Sequence, residues 1–144
     1  MIQLKNIHKK FNEKIALNNL TLEVNNGEIY GLLGANGAGK STTLNMLLGF
    51  LKPDKGTIKI IDSDGHNLHT QKHLGYIPEN VNLYPYLTGL ENLDYFSKLA
   101  GLSFTTEELC KFLLQCGLQN DAFDKNISEY SKGMRQKVGI AIAY

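Results

Sequence analysis

The sequence predicts an α/β fold, and three observations carry that expectation. Period-two apolar alternation in the first 24 residues marks antiparallel strands, an unbroken apolar run at 29–33 opens onto a glycine-rich turn and a helix, and helical periodicity takes over from residue 88. The chain has 144 residues, 42% hydrophobic and 20% charged, which is ordinary globular composition and excludes collagen-like, disordered and acidic-tail classes. Lys and Arg number 15 against 14 Asp and Glu, so the chain lacks the basic excess needed to grip a phosphodiester backbone, and no nucleic acid is expected as a partner. No stretch approaches the roughly 20 apolar residues of a bilayer span, and the start, Met1 to Asn6, lacks the apolar core of a signal peptide. A soluble, cytoplasmic chain is the expectation.

Ile2 and Leu4, then Leu20, Leu22 and Val24, alternate on either side of a polar stretch at Asn12 and Glu13, as in a half-exposed antiparallel sheet. After the Asn25–Glu28 turn, Ile29-Tyr30-Gly31-Leu32-Leu33 has the unrelieved apolar character of a parallel strand covered on both faces. It leads into a helix expected over Lys40–Leu51 and stopped by Pro53, followed by a strand over Thr57–Ile61. Another strand is expected at Gly75–Ile77. Thr88 with Glu91, and Thr105 with Glu108, are capping boxes that open two helices, with Gly101 and Gly117 as their stops. Leu90, Leu93, Phe96 and Leu99 form the inward face of the first, and Leu109, Phe112, Leu113 and Cys116 that of the second. A third helix is expected from Gly133. Because the sequence reaches Tyr144 within an apolar helical run, the chain is expected to be part of a longer domain.

Gly34-Ala35-Asn36-Gly37-Ala38-Gly39-Lys40-Ser41 satisfies the P-loop pattern G-x-x-x-x-G-K-[ST] between an apolar run and a helix. Glycines let successive backbone N–H groups converge on phosphate oxygens, and the helix that starts there adds its positive end. Lys40 supplies a charge for the β- and γ-phosphates, the Ser41 hydroxyl can ligate Mg²⁺, and Thr42 can donate to a more distal oxygen. The implied ligand is a nucleoside triphosphate with Mg²⁺.

Four features in chain order resemble the ATP-binding cassette ATPases, the engine subunits of ABC transporters. Phe11 lies where that family keeps an aromatic that stacks on adenine, although an aromatic near a strand end is also a common core residue. Gly34 to Ser41 with Thr42 matches the Walker A segment. Leu74-Gly75-Tyr76-Ile77-Pro78-Glu79 resembles the Q-loop, with Glu79 in place of the usual Gln that reaches Mg²⁺ or the attacking water; a solvent-facing loop glutamate is the other reading. Tyr130-Ser131-Lys132-Gly133-Met134 resembles the signature motif, whose serine and backbone N–H groups meet the γ-phosphate held by an opposing subunit; Lys132 and Met134 depart from its commonest form.

The resemblance implies a partial P-loop NTPase core with an N-terminal antiparallel β-subdomain within 1–87, an inserted helical subdomain over 88–132 and the start of the signature helix over 133–144. The Walker B strand with its acidic residues, the D-loop and the switch histidine would follow Tyr144, so residues 1–144 alone are expected not to hydrolyse ATP and to self-associate. The function implied is an ATP-hydrolysing subunit of a membrane transporter, on the inner face of the cell membrane, with a permease partner and a second ATPase subunit forming composite sites. The wording around Tyr84 and Ser131 is most similar to bacterial exporters. A nucleic-acid-remodelling cassette ATPase and an unrelated P-loop kinase or GTPase are the alternatives.

Other patterns are read as structural. His69 and His73 share a helical spacing without a third ligand, Asp62-Ser63-Asp64-Gly65 lacks the later ligands of a calcium loop, and Cys110 and Cys116 are reduced packing residues.

Overall fold

The computed structural model describes residues 1–68 and 74–144, so the His69/His73 pair lies outside the described residues. The chain divides into two compact units, Met1–Leu74 and Gly75–Tyr144.

In the first unit, strands β1 (Ile2–Phe11), β2 (Lys14–Val24) and β3 (Lys55–Ile60) form an antiparallel sheet in the order β2-β1-β3. The β1–β2 turn falls at Asn12 and Glu13, with Asn12 in the left-handed region at φ 50°. Strict alternation would place Leu4 and Ile7 on opposite faces. Both are nonetheless fully buried, because the register slips between the pairs Leu4↔Leu22 and Ile7↔Leu20 and slips back before Lys9↔Leu17. Asn6 at φ 51° and Asn19 at φ 57° occupy these compensating bulges, a conformation asparagine tolerates better than most residues. Leu4, Ile7 and Leu17 thereby line one core with Met46 of helix α1 (Lys40–Leu47).

Helix α1 ends four residues earlier than Pro53 suggested. Gly49 turns left-handed at φ 76°, and the Phe50 and Gly49 N–H groups close the end on the carbonyls of Asn45 and Met46, so a glycine stop pre-empts the proline. Strand β3 begins at Lys55, two residues sooner than expected.

The second unit packs α2 (Gly89–Leu99), α3 (Thr106–Gln115) and α4 (Lys132–Ala143) around Leu93, Leu109, Leu113, Leu118, Ile127 and Val138. Both capping boxes form, and the Thr105 N–H holds the Glu108 carboxyl below the usual range. Helix α4 begins one residue before the expected Gly133. The inward face of α2 is rotated from its expected position, since Asn92 and Ser97 are buried while Leu99 is 66% exposed. Asn92 is stabilised inside because its side chain donates to the Tyr84 and Thr88 carbonyls and accepts from the Tyr84 N–H, stitching down the loop before α2. Cys110 and Cys116 are half-buried and unpaired, and burial pushes the Cys116 thiol up, away from reactive thiolate.

The expected strands at 29–33 and 75–77 are not formed, and Ile29 and Leu33 are 100% and 92% exposed. A doubly covered parallel strand exists only when neighbouring strands take its N–H and C=O groups. Among the described residues, nothing pairs with either segment.

Leu113→Ala should lower the stability of the helical unit by about 2–5 kcal/mol, since Leu113 is fully buried. Leu99→Ala should stay within about 0.5 kcal/mol. Urea unfolding followed by circular dichroism checks the pair; equal losses would contradict the rotated face.

Candidate functional site

Residues 34–38 form an exposed loop closed by a hydrogen bond from the Ala38 N–H to the Ala35 carbonyl at 3.1 Å. Gly39, by contrast, is buried against β2. Its φ is +88°, and a β-carbon there would lie 2.5 Å from Leu17 Cδ2 and 2.7 Å from the Ala16 carbonyl oxygen, so the position requires glycine on both backbone and spatial grounds.

Lys40 reaches back across the loop, its Nζ donating to the Gly34 carbonyl at 2.6 Å and the Ala35 carbonyl at 2.8 Å. Buried Thr43 donates its hydroxyl to the Gly39 carbonyl at 3.0 Å, tying the loop to the second turn of α1. The first turn of α1 has neither a side-chain cap nor an acidic residue. Its leading N–H groups lack intrahelical acceptors, and its positive end is uncompensated by any acidic residue of its own first turn.

The exposed backbone of Asn36, Gly37 and Ala38 forms the tip of this cradle. Ser41 is exposed and Thr42 half-buried on the first turn. The Ser41 hydroxyl is a hard oxygen donor, which fits Mg²⁺, an ion that takes one or two protein oxygens and completes its shell with water and phosphate.

Phe11 is 46% exposed, so its core reading does not hold. It lies two residues beyond Lys9, whose register partner is Leu17, the residue on which Gly39 rests. The strand end is fixed by Lys9, which pairs with Asp54 at 2.8 Å and places its ammonium 5.6 Å from the Phe11 ring centroid. The Lys9 hydrogen bond, assisted by the Lys10 N–H, holds the Asp54 carboxyl below its ordinary range. Phe11 and the loop thus occupy the same end of the first unit.

Ser131 and Glu79 belong to the second unit. Ser131 is the N-cap of α4 and its Oγ accepts from the Met134 N–H at 3.2 Å. This bond uses an oxygen lone pair and leaves the hydroxyl proton available for donation. A β-carbon on Gly133 would meet nothing closer than Ser131 Oγ at 4.0 Å, so nothing among the described residues requires glycine there. Glu79 is exposed and shares a cleft with Lys132, Arg135 and Gln136.

Sequence reasoning missed what fixes Ser131. The preceding Tyr130 is 3% exposed and donates its hydroxyl to the Ala122 carbonyl at 2.6 Å; burial raises its pKa. Arg135 Nη1 donates to the Tyr130 carbonyl at 2.6 Å, clamping the chain on the near side of Ser131. A tyrosine directly before an N-cap serine was the available signal. The structure also brings ligand atoms of Asp62, Asp64 and His66 within 4.8 Å of one another. Their proximity follows from the turn itself, in which Asp62 Oδ1 accepts from the Asp64 and His66 N–H groups.

The profile of the ABC transporter family matches residues 17–144. The chain belongs to that family. It is 39% identical to Nod factor export ATP-binding protein I of Burkholderia lata over 99% of this chain and 48% of that protein. It is also 39% identical to bacitracin transport ATP-binding protein BcrA of Enterococcus faecalis, over 99% of this chain and 46% of that protein. A solved dimeric ATP-binding cassette, bound to ADP and Pi in a post-hydrolysis state, superposes with TM-score 0.76 at 28% identity, covering 99% of this chain and 68% of that one. The chain spans about half the length of the curated relatives it matches. ABC transporter membership agrees with the P-loop NTPase fold class, and Phe11 precedes the segment that the family profile covers.

The two glycines predict opposite outcomes. Gly39→Ala should destabilise the first unit by about 1–3 kcal/mol through strain and the clash with β2. Gly133→Ala should be neutral or stabilise α4 by up to about 1 kcal/mol, because alanine is the better helix former. Thermal unfolding of both variants checks this; a destabilised Gly133→Ala would reveal an internal contact.

Proposed function

We propose that the protein binds ATP with Mg²⁺ at the 34–42 cradle and hydrolyses it to power a membrane transporter, with export as the direction of transport. The observation that carries this reading is the start of α1, where uncapped N–H groups, Lys40 and a loop seated on β2 by Gly39 converge on one exposed surface. Two loop carbonyls hold the Lys40 ammonium over the loop, which supports its meeting β- and γ-phosphate oxygens. Mg²⁺ bound with the nucleotide would neutralise phosphate charge, and Ser41 is the residue that would hold it. Phe11 supplies an exposed aromatic face for the base at the same end of the unit.

Ser131 and Gly133 serve a nucleotide bound by a second ATPase subunit. The Ser131 hydroxyl retains its proton, and Gly133 leaves open space that none of the described residues fills. The similarity to a dimeric cassette supports the composite arrangement. The export and transport names of the relatives support a permease partner and a position on the cytoplasmic face of the membrane. No helix among the described residues is long and apolar enough to cross a membrane itself.

Lys40→Ala should weaken MgATP binding or turnover by about 10²-fold or more, as with loss of one preorganised charged donor. Calorimetric titration and phosphate release measure this, and unchanged values would remove the assignment. Ser131→Arg should leave nucleotide binding by the monomer nearly intact while abolishing ATP-dependent dimerisation, read by light scattering. Equal loss of both would place Ser131 on its own chain's nucleotide instead.

A further inference from the structure

Residues 75–82 run back along α4 from its end towards its start. A β-carbon on Gly75 would lie 2.5 Å from the Ala143 carbonyl oxygen, and one on Gly139 would lie 2.8 Å from Val81 Cγ2. Two contacts that a side chain would obstruct therefore seat this segment on the helix. The seating brings Glu79 to a cleft of about 250 Å³ at the first turn of α4, shared with Lys132 and Arg135.

Two features of that turn call for an anion. Helix α4 has no acidic residue of its own in its first turn, whereas α2 and α3 carry Glu91 and Glu108 there. The positive end of the helix is consequently uncompensated from within. Lys132 and Arg135 add cationic side chains to the same cleft. Glu79 and Lys132 are also two of the positions where this chain departs from the family's usual wording, and they put opposite charges on the walls of one cleft without a direct ion pair.

We propose that Glu79 is a positioning residue for the start of α4: its carboxylate supplies, from outside the helix, the negative charge that the first turn lacks, and so fixes the presentation of the Ser131 hydroxyl. Arg135 transmits the constraint directly, because its guanidinium holds the carbonyl of Tyr130, the residue before Ser131. A glutamine at 79 would fill the cleft equally well but would not compensate Lys132, Arg135 and the helix end. This assignment rests on the reading that Ser131 serves an opposing subunit, and it gives the Q-loop position a role within its own unit.

Hydrogen exchange of the Met134 and Arg135 backbone amides, which donate to the Ser131 hydroxyl oxygen and carbonyl, tests the proposal on the full-length protein without nucleotide. Glu79→Gln should speed exchange by about two- to five-fold, the range of an exposed charge pair, whereas Lys132→Gln, which removes a cation from the positive end of the helix, should not speed it. The double variant should be no faster than the faster single, Glu79→Asp should restore slow exchange, and about 1 M salt should bring the wild type to the Glu79→Gln rate. ATP-dependent dimerisation should weaken by a similar factor in Glu79→Gln. Unchanged exchange in Glu79→Gln, or faster exchange in Lys132→Gln, overturns the proposal. A loss confined to MgATP affinity with normal exchange also overturns it and assigns Glu79 to the metal. Because exchange is read without nucleotide, its outcome is separable from the Ser131→Arg result, which tests the composite site alone.

Discussion

An α-helix begins with backbone donors that it cannot satisfy, and how each of this chain's helices treats them organises the whole molecule. Helices α2 and α3 are fully closed, with a threonine oxygen taking one donor and a glutamate bringing charge to the positive end. Helix α4 is half closed, with Ser131 accepting from Met134 and no acid in its own first turn. Helix α1 is open, since Gly39 has no side chain to offer. The closed starts belong to α2 and α3, and the open ones stand beside the loop and the serine proposed to meet nucleotide. Leaving donors unsatisfied costs stability, so an open start persists only where the surroundings hold it in place.

In the first unit that support comes from the sheet. Gly39 is pressed on the Ala16 carbonyl and Leu17, and Leu17 is itself part of the core beneath α1, so the loop's geometry is fixed by the same residues that stabilise the unit. In the second unit the support is a buried phenol. Gly89 leaves space for the Tyr130 hydroxyl, which a β-carbon there would approach to 2.6 Å, and the Ala122 carbonyl accepts its proton. A buried polar group satisfied in this way is specific as well as stabilising, because any shift of the 130–131 backbone would break the bond inside an apolar core. Both candidate surfaces are therefore extensions of cores rather than mobile appendages.

What was legible in the sequence is what is local in the chain. The capping boxes span four residues each, and the glycine-rich loop is contiguous, so their physics is complete within a short window. The apolar run at 29–33 was misread because strandedness belongs to a pair of segments, and a single segment cannot contain it. Asn92 and Leu99 rotated the expected face of α2, with Leu93 still buried, because periodicity sorts residues by polarity, while the fold sorted them by available partners: three hydrogen bonds made a buried asparagine acceptable. At the candidate site, the positions of Lys40, Ser41 and Ser131 were readable from motif spacing. The clamps on them were not, since Tyr130 to Ala122 and Gly39 to Leu17 join residues that nothing in the linear pattern connects.

The paired bulges in the hairpin make its length conservative in an unusual way. One extra residue near Asn6 in β1 is matched by one near Asn19 in β2, so the strands drift out of phase and return at Lys9↔Leu17, before a separate slip ahead of Lys10↔Ile15. A single-residue deletion at either bulge would leave the other uncompensated and turn one strand over for the rest of its length, exchanging the inner and outer faces at Leu17 or at Leu4. Losing both residues together would keep Leu4↔Leu22 and Lys9↔Leu17 in phase, with the separate slip between Lys9↔Leu17 and Lys10↔Ile15 unaffected. Among descendants of this sequence, length changes in the two strands should thus be inherited as a couple, with a lone gap in either one marking a chain whose nucleotide loop has lost its seat.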